Sequence, residues 1–581
     1  MVDFVIRVAG ENGENVLSVG DIMAQALARA GLNIYTFQNL PAEIKGGASM
    51  TQVRVSDGPV GAPGDGVDVL FAWNQQNYGL HSPVVRDGGM ILYDPSECTP
   101  DGLTRLKEFA VPLTEIANQT IGERRTKNVV AIGALSGLSG ISIELVETIM
   151  QQKFGRRANP KLMEMNFKAL KAGYEFAREN LPLDVIRVTG LRATEEPRMI
   201  LTGNQALYMG AIAAGLQYYA GYPITPASDI MEYLAKHLPR VGGVVIQTED
   251  EISAVCSCIG ASFAGRKAMT ATSGPGLSLM VEAMGLATMQ ELPLVIVNVQ
   301  RGGPSTGLPT KVEQSDLDLA IYGHHGDAPR IVIAPTTVED LFYGTIDAFN
   351  LAEKYQVPVI LLSDQHLSHR AEAVPVPDLS KLHVINRKTP TAEEMEDYKR
   401  YALTEDHVSP VAIPGVHSTT WVGTGLEHDE HAHIQASNSR THVLMSDKRA
   451  EKVRQAADEP NAVHRFGNSR ARFGIIGWGS SEGPLREAVA RLEDQGIEVR
   501  ALVARIVSPV PEKPIQEFLD SVDQVAVLEL NQSGQFANLL QSTFCRRVLK
   551  FTKYDGLPFR TQDICEMIQE AMHAREGALT R

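Results

Sequence analysis

The stretch Gly221-Tyr222-Pro223-Ile224-Thr225-Pro226-Ala227-Ser228-Asp229-Ile230 decides how the rest of the chain is read. Its two prolines each hold φ at about −65°. They also push the residues before them, Tyr222 and Thr225, towards extended backbone. Thr225 therefore stands on a stiff turn that aims its hydroxyl. Ser228 or Asp229 is in position to cap the helix that Ile230, Met231 and Leu234 imply. A rigid strand-to-helix turn carrying one hydroxyl is the usual build of a ligand-facing loop at the end of a parallel sheet. An ordinary connection has the same spacing, so other stretches must separate the two readings.

Three of those stretches follow in order. They are Glu249-Asp250-Glu251, then Thr272-Ser273-Gly274-Pro275-Gly276, then Gln300-Arg301-Gly302-Gly303-Pro304-Ser305-Thr306-Gly307. Strand patterns are expected at 199–202, 244–248, 268–271, 294–299, 331–334 and 357–362, with helical patterns between most of them. That alternation predicts a parallel, doubly wound sheet. All four loops follow strand patterns or their continuations, so they should converge on one edge.

The totals narrow the function. With 581 residues, 44% apolar and 21% charged, the chain reads as a soluble globular protein of several α/β domains. A formal charge of −15 argues against a general nucleic-acid partner, which needs a basic face. No run reaches the ~20 apolar residues of a membrane span, and the start lacks a signal-peptide layout. Cys98, Cys256, Cys258, Cys545 and Cys565 form no CxxC and no metal-ligand spacing, so a cytoplasmic, reduced protein without its own iron–sulfur cluster is expected.

Outside the second sheet the signals are weaker. Gly10-Glu11-Asn12-Gly13 leads into a helix but lacks a full GxGxxG, and Glu11 and Glu14 would oppose a diphosphate. Lys45 sits in a glycine-flanked loop after Phe37. Gly64-Asp65-Gly66 resembles the start of a diphosphate–magnesium motif, but Asn74 and Asn77 come too soon to complete it, so a turn is expected. Residues 381–470 have few apolar runs and carry Gly425-Leu426-Glu427-His428-Asp429-Glu430-His431. A metal site is one reading of that cluster, and a solvated connecting segment over a neighbouring subunit is the favoured one. From 472 a third α/β unit is expected, with strands at 473–477, 499–503 and 525–528.

Taken together, GYPITPASDI, TEDEISAVCSCIGASFAG, TATSGPGLSLM and QRGGPSTGLPT resemble the pyrimidine-binding domain of the 2-oxoacid:ferredoxin oxidoreductases. The resemblance extends over essentially the whole chain, and the gamma-before-alpha order is most similar to fused alpha subunits of the 2-oxoglutarate (2-oxoacid) type. It implies a gamma domain at 1–190, a pyrimidine-binding thiamine-enzyme domain at 195–380, a connecting segment at 381–470 and a transketolase-C-terminal-like domain at 471–581. It also implies thiamine diphosphate with Mg2+, shared with a separate beta subunit that carries the diphosphate–magnesium motif and a 4Fe–4S cluster. Coenzyme A, ferredoxin and an (alpha-beta)2 heterotetramer belong to the same implication. The implied reaction is oxidative decarboxylation of 2-oxoglutarate to succinyl-CoA, reversible as a CO2-fixing step of a reductive TCA cycle. Pyruvate or branched-chain 2-oxoacids are the alternative substrates, and a non-oxidative thiamine half-subunit is the distant alternative.

The resemblance assigns roles to residues. Aligned through Gly260, it puts on Glu251 the carboxyl that bonds N1′ of the pyrimidine, with Glu249 as runner-up and a helix N-terminal charge as the plain reading. Tyr222, Pro223, Ile224, Thr225 and the Ser273, Gly274, Pro275, Gly276 loop would line the cofactor. Thr225 and Arg301 match the positions holding the substrate carboxylate, where an arginine fork makes paired, charge-assisted hydrogen bonds. A second carboxylate needs another cationic contact, for which Lys45 is the first candidate and His325 the second.

Overall fold

The computed structural model describes residues 2–41, 46–121, 126–155, 159–183, 186 and 197–579. Lys45 lies outside the described residues. The chain divides into two compact units.

The first unit comprises residues up to Leu201 with Arg370–Val376 and Arg560–Gln562. Its sheet has eight strands. The apolar strand Asp3–Glu11 runs parallel to Val67–Ala72 and antiparallel to Ala48–Ser56. The helix expected after GENG runs from Val16 to Arg29, entered through Asn15 in the left-handed conformation at φ 58°. Gly64-Asp65-Gly66 lies on a bend, as a turn requires, with Gly64 at φ +92°. Two strands enter this sheet from distant sequence. Ala371–Pro375 pairs with Asn33–Asn39, placing Glu372 opposite Tyr35, and Arg198–Thr202 joins beyond it. The pattern expected at 199–202 thus forms a strand, but it pairs in this sheet and not in the second.

The second unit holds Thr202–His369, Pro377–Phe559 and Asp563–Arg581. In its seven-stranded sheet, Tyr218–Gly221 lies between Val244–Gln247 and Ala268–Thr272; Leu294–Gln300, Pro358–Asp364 and Ile331–Ile333 follow in space. The pairs among these six strands are parallel, and Ile506–Ser508 adds an antiparallel edge. Successive connections reverse direction at Tyr218–Gly221, so a topological switch point opens between it and Ala268–Thr272. A five-stranded sheet from 463 to 552 contains the expected strands as Phe473–Trp478, Arg500–Ala504 and Gln524–Glu529. Among the described residues no helix is long and apolar enough to cross a membrane.

The segment expected to be solvated is exposed over much of its length but is tied down by buried anchors. Arg387, Arg400, Tyr401, Trp421 and His428 are buried. Arg387 Nη2 lies 2.8 Å from Glu353, and Glu427 pairs with Arg449 at 3.0 Å and His442 at 2.6 Å. His428 lies against Tyr401 with ring centroids 3.7 Å apart and the rings tilted by 31°. Among the described residues no group of three His, Cys, Asp or Glu could hold a metal. The polarity of this stretch serves buried ion pairs, which hydropathy alone does not reveal.

The deepest of these pairs centres on Glu291. It receives Lys448 at 2.6 Å and Lys452 at 2.7 Å, all three side chains at 0–1% exposure. Arg400 donates to the Glu291 carbonyl at 2.8 Å and lies over the Tyr401 and Trp421 rings. Burial alone would raise the Glu291 carboxyl, but Lys448, Lys452 and Arg400 outweigh it and hold it well below the usual carboxylate range. Burial pushes Lys452 down to about 7, against the pull of Glu291.

Glu291→Gln is expected to cost about 3–5 kcal/mol, because it leaves buried ammonium groups without their counter-charge. Calorimetry should show an earlier unfolding transition. In the parent protein the Lys452 contribution has a definite sign. Its folded pKa, about 7, lies below the ordinary 10.5, so between those values the unfolded chain binds the extra proton and stability rises with pH.

Candidate active site

The parallel pairing sends the carboxyl ends of the strands in the second unit's sheet to one edge. The turn after Tyr218–Gly221 and the loop after Ala268–Thr272 flank the switch point. The loops after Val244–Gln247 and Leu294–Gln300 come from the next strands on either side. The four sequence motifs are therefore neighbours because of strand direction and order.

The proline turn is braced from beneath. Asn204 donates to the Pro226 carbonyl at 2.9 Å, and Ala227 N and Ser228 N both bond the Ile224 carbonyl. These bonds begin the helical turn one residue early, so the N-cap of the helix Ser228–His237 is Ala227, and neither Ser228 nor Asp229 caps it. The Thr225–Pro226 and Gly303–Pro304 peptide bonds are cis. Tyr222, Pro223 and Thr225 are exposed, and Ile224 is half-buried.

The two glutamates separate by burial. Asp250 caps the helix Glu251–Phe263 by accepting from Ser253 N at 2.7 Å. That cap turns Glu251 inward, to 5% exposure, and leaves Glu249 exposed. The Glu251 carboxylate rests against Gly276. A Cβ there would collide with it and with the Thr272 hydroxyl, and would come within 2.7 Å of Glu251 Cγ. Ser273 is fully buried and its Oγ has no partner.

Arg301 lies at 8% exposure and reaches back to the proline turn, its Nη1 donating to the Thr225 carbonyl at 2.5 Å. Its Nε has no partner. Burial pulls the guanidinium down and Asp316 holds it up. A cavity of about 720 Å³ opens here, lined by Gly274, Pro275, Arg301 and Asp316 from this sheet's loops. The C-terminal sheet's loop Asn531-Gln532-Ser533 and Tyr554 close it from the other side.

Sequence reasoning did not single out Asp316, Asn531 or Tyr554. The available signal for Asp316 was position: it ends the loop that Arg301 begins, immediately before the buried Leu317. His325 is exposed and precedes the strand Ile331–Ile333. It therefore sits at the amino-terminal edge of a parallel sheet, opposite the motif loops, and the structure does not bring it to Thr225 or Arg301.

Residues 5–176 match the family described as pyruvate ferredoxin/flavodoxin oxidoreductase. Residues 209–448 match the thiamine diphosphate-binding domain of pyruvate flavodoxin/ferredoxin oxidoreductase, and 471–563 match pyruvate:ferredoxin oxidoreductase core domain II. The chain is 33% identical to the 2-oxoglutarate oxidoreductase subunit KorA of Mycobacterium tuberculosis, over 99% of this chain and 92% of that protein. It is 30% identical to the alpha subunit of 2-oxoacid:ferredoxin oxidoreductase 2 from Aeropyrum pernix, over 99% of each. A solved structure of 2-oxoglutarate:ferredoxin oxidoreductase from Magnetococcus marinus, with 2-oxoglutarate, coenzyme A and succinyl-CoA bound, is similar at a TM-score of 0.93. It shares 41% identity, covering 98% of this chain and 99% of that one.

Gly276→Ala tests the contact at the centre of the site. The added methyl should displace the Glu251 side chain at an overpacking cost of about 1–3 kcal/mol. A crystal structure of the variant should show Glu251 moved from its buried seat, with a lowered unfolding temperature. An unmoved Glu251 contradicts the contact.

Proposed function

Because the chain belongs to the alpha subunits of the 2-oxoacid:ferredoxin oxidoreductases, we propose that its carboxyl-edge loops form half of a thiamine diphosphate site that oxidatively decarboxylates 2-oxoglutarate. One observation carries this reading: the buried Glu251 carboxylate and the Arg301 guanidinium, whose Nε has no partner, both meet the Ser273–Gly276 loop at the switch point. The residues fit the cofactor on structural grounds. Gly276 keeps the space beside Glu251 clear of a side chain, and Ser273 Oγ is a buried hydroxyl still lacking a partner.

When bound, thiamine diphosphate supplies a carbon nucleophile and an electron sink for decarboxylation. The residues of this chain hold and orient. Glu251 keeps a proton at N1′ of the pyrimidine, and its burial strengthens that bond by excluding water. Tyr222, Pro223, Ile224 and Ser273–Gly276 line the ring, while Thr225 and Arg301 hold the carboxylate beside the ketone. The distal carboxylate needs a further cationic contact, for which Lys45 is the first candidate. The C1–C2 bond breaks and CO2 leaves. A 4Fe–4S cluster held by a partner subunit would supply the one-electron route to ferredoxin, and the coenzyme A sulfur takes the acyl group with loss of its proton. The cluster and the Mg2+–diphosphate half of the site belong to a beta subunit in an (alpha-beta)2 assembly in the cytoplasm. Reduced ferredoxin drives the reverse, CO2-fixing direction. The similarity to the Magnetococcus marinus enzyme supports the choice of 2-oxoglutarate.

In the complex with its partner, Glu251→Gln is expected to reduce turnover by at least about a hundredfold, the scale of losing a positioned proton-transfer group. Glu249→Gln should be far milder. Reversed effects would move the alignment by two residues, and an effect of neither would remove the cofactor from this domain.

Lys45→Met is expected to lower kcat/KM for 2-oxoglutarate relative to 2-oxobutyrate by roughly tenfold to several hundredfold, matching a charge-assisted hydrogen bond of ~1.5–3 kcal/mol. An unchanged ratio removes Lys45 from the site. A preference of the parent enzyme for pyruvate removes the dicarboxylate reading.

A further inference from the structure

Asp316 occupies a place in the cavity that the reaction just described leaves without a role. It ends the loop that starts at Arg301, and the two side chains line the same 720 Å³ space. Its carboxylate lies under the Ser273–Gly276 loop so closely that a Cβ on Gly274 would come within 2.9 Å of Oδ2 and 3.1 Å of Oδ1. It accepts from Asn298 Nδ2 at 2.9 Å, and its backbone N–H donates to Gln300 Oε1 at 3.1 Å. Asn298 and Gln300 belong to the strand that delivers Arg301, so the carboxylate and the guanidinium are built on one rigid support.

The loop is also clamped from the C-terminal sheet. Gln314 N donates to the Leu530 carbonyl at 2.7 Å and Asn531 Nδ2 to the Gln314 carbonyl at 3.1 Å. Gln535 Nε2 donates to the Ser315 carbonyl at 2.8 Å. Asp316 therefore has little freedom to leave. Burial raises its carboxyl, while Asn298 and Arg301 lower it in part. The other acid of the cavity, Glu313, is also raised by burial, with Asp316 adding to the effect.

We propose that Asp316 is a positioning residue that acts through Arg301, partly compensating the guanidinium so that the 2-oxoacid carboxylate is held without being held too tightly. The inference rests on the assignment of Arg301 to that carboxylate. Decarboxylation turns the bound carboxylate into neutral CO2, so every interaction that favours the anion more than the transition state slows the step. A fixed counter-charge beside the arginine weakens ground-state binding selectively.

The test uses the complete complex with its partner subunit and 2-oxoglutarate as substrate. Asp316→Asn keeps the shape and an acceptor for Asn298 but removes the charge. It is expected to lower KM and kcat together, each on the order of tenfold, the scale of one neighbouring charge on an ionic equilibrium, leaving kcat/KM nearly unchanged. In an Arg301→Gln background the same substitution should leave KM where it is. A merely structural role predicts a different pattern, with kcat and thiamine diphosphate affinity falling and KM unchanged or higher, and that result overturns the proposal. If Asp316→Asn does not assemble, Asp316→Ser is read by the same split. If Arg301→Gln itself leaves KM unchanged, the assignment of Arg301 fails. If it raises KM while Asp316→Asn does not lower it, only the role of Asp316 fails.

Discussion

A buried carboxylate resting on a residue with no side chain is the contact on which the arrangement of this site depends. Glu251 can turn inward only because Asp250 takes the capping position and because Gly276 offers backbone where any other residue would offer a methyl. Remove that vacancy and the acidic group returns to solvent, where Glu249 already stands. Burial gives the carboxylate its chemical meaning, because a hydrogen bond made in a dry pocket is stronger than one made in water.

The same logic operates at larger scale. Ion pairs that would contribute little on a surface become rigid fasteners in the segment 381–470, where Arg387, Lys448 and Lys452 reach fully buried carboxylates. Charge compensation of this kind tolerates an otherwise irregular backbone. It also explains how a stretch with few apolar residues can be integral to a core. The C-terminal sheet adds its own polar clamp, through Gln314 and Asn531, to the loop that carries Arg301.

The doubly wound second sheet was legible from alternating strand and helix patterns, and the four loops announced themselves through proline, glycine and charge. Tyr218–Gly221, the strand that feeds the proline turn, was missed because its four residues, Tyr-Tyr-Ala-Gly, include no β-branched side chain and end on glycine. His325 was chosen for its linear proximity to the arginine loop, which says nothing about which edge of a parallel sheet a residue reaches. Asp316 escaped notice because a single acid before an apolar residue looks like a helix start; its partners come from Asn298, Arg301 and Gly274, up to 42 residues away. The buried anchors within residues 381–470 were hidden because pairing of charges is a property of three dimensions.

The strand Ala371–Pro375 sits between Asn33–Asn39 and Arg198–Thr202 in the first unit's sheet. During synthesis the chain leaves the ribosome in order, at about 5–20 residues per second. The strand ending at Thr202 therefore emerges with no neighbour to pair with, and roughly 170 further residues must be made before its partner appears. Through that interval the Asn33–Asn39 edge also stays open, so the amino-terminal sheet is completed only after all six parallel strands described in the second unit's seven-stranded sheet have been translated.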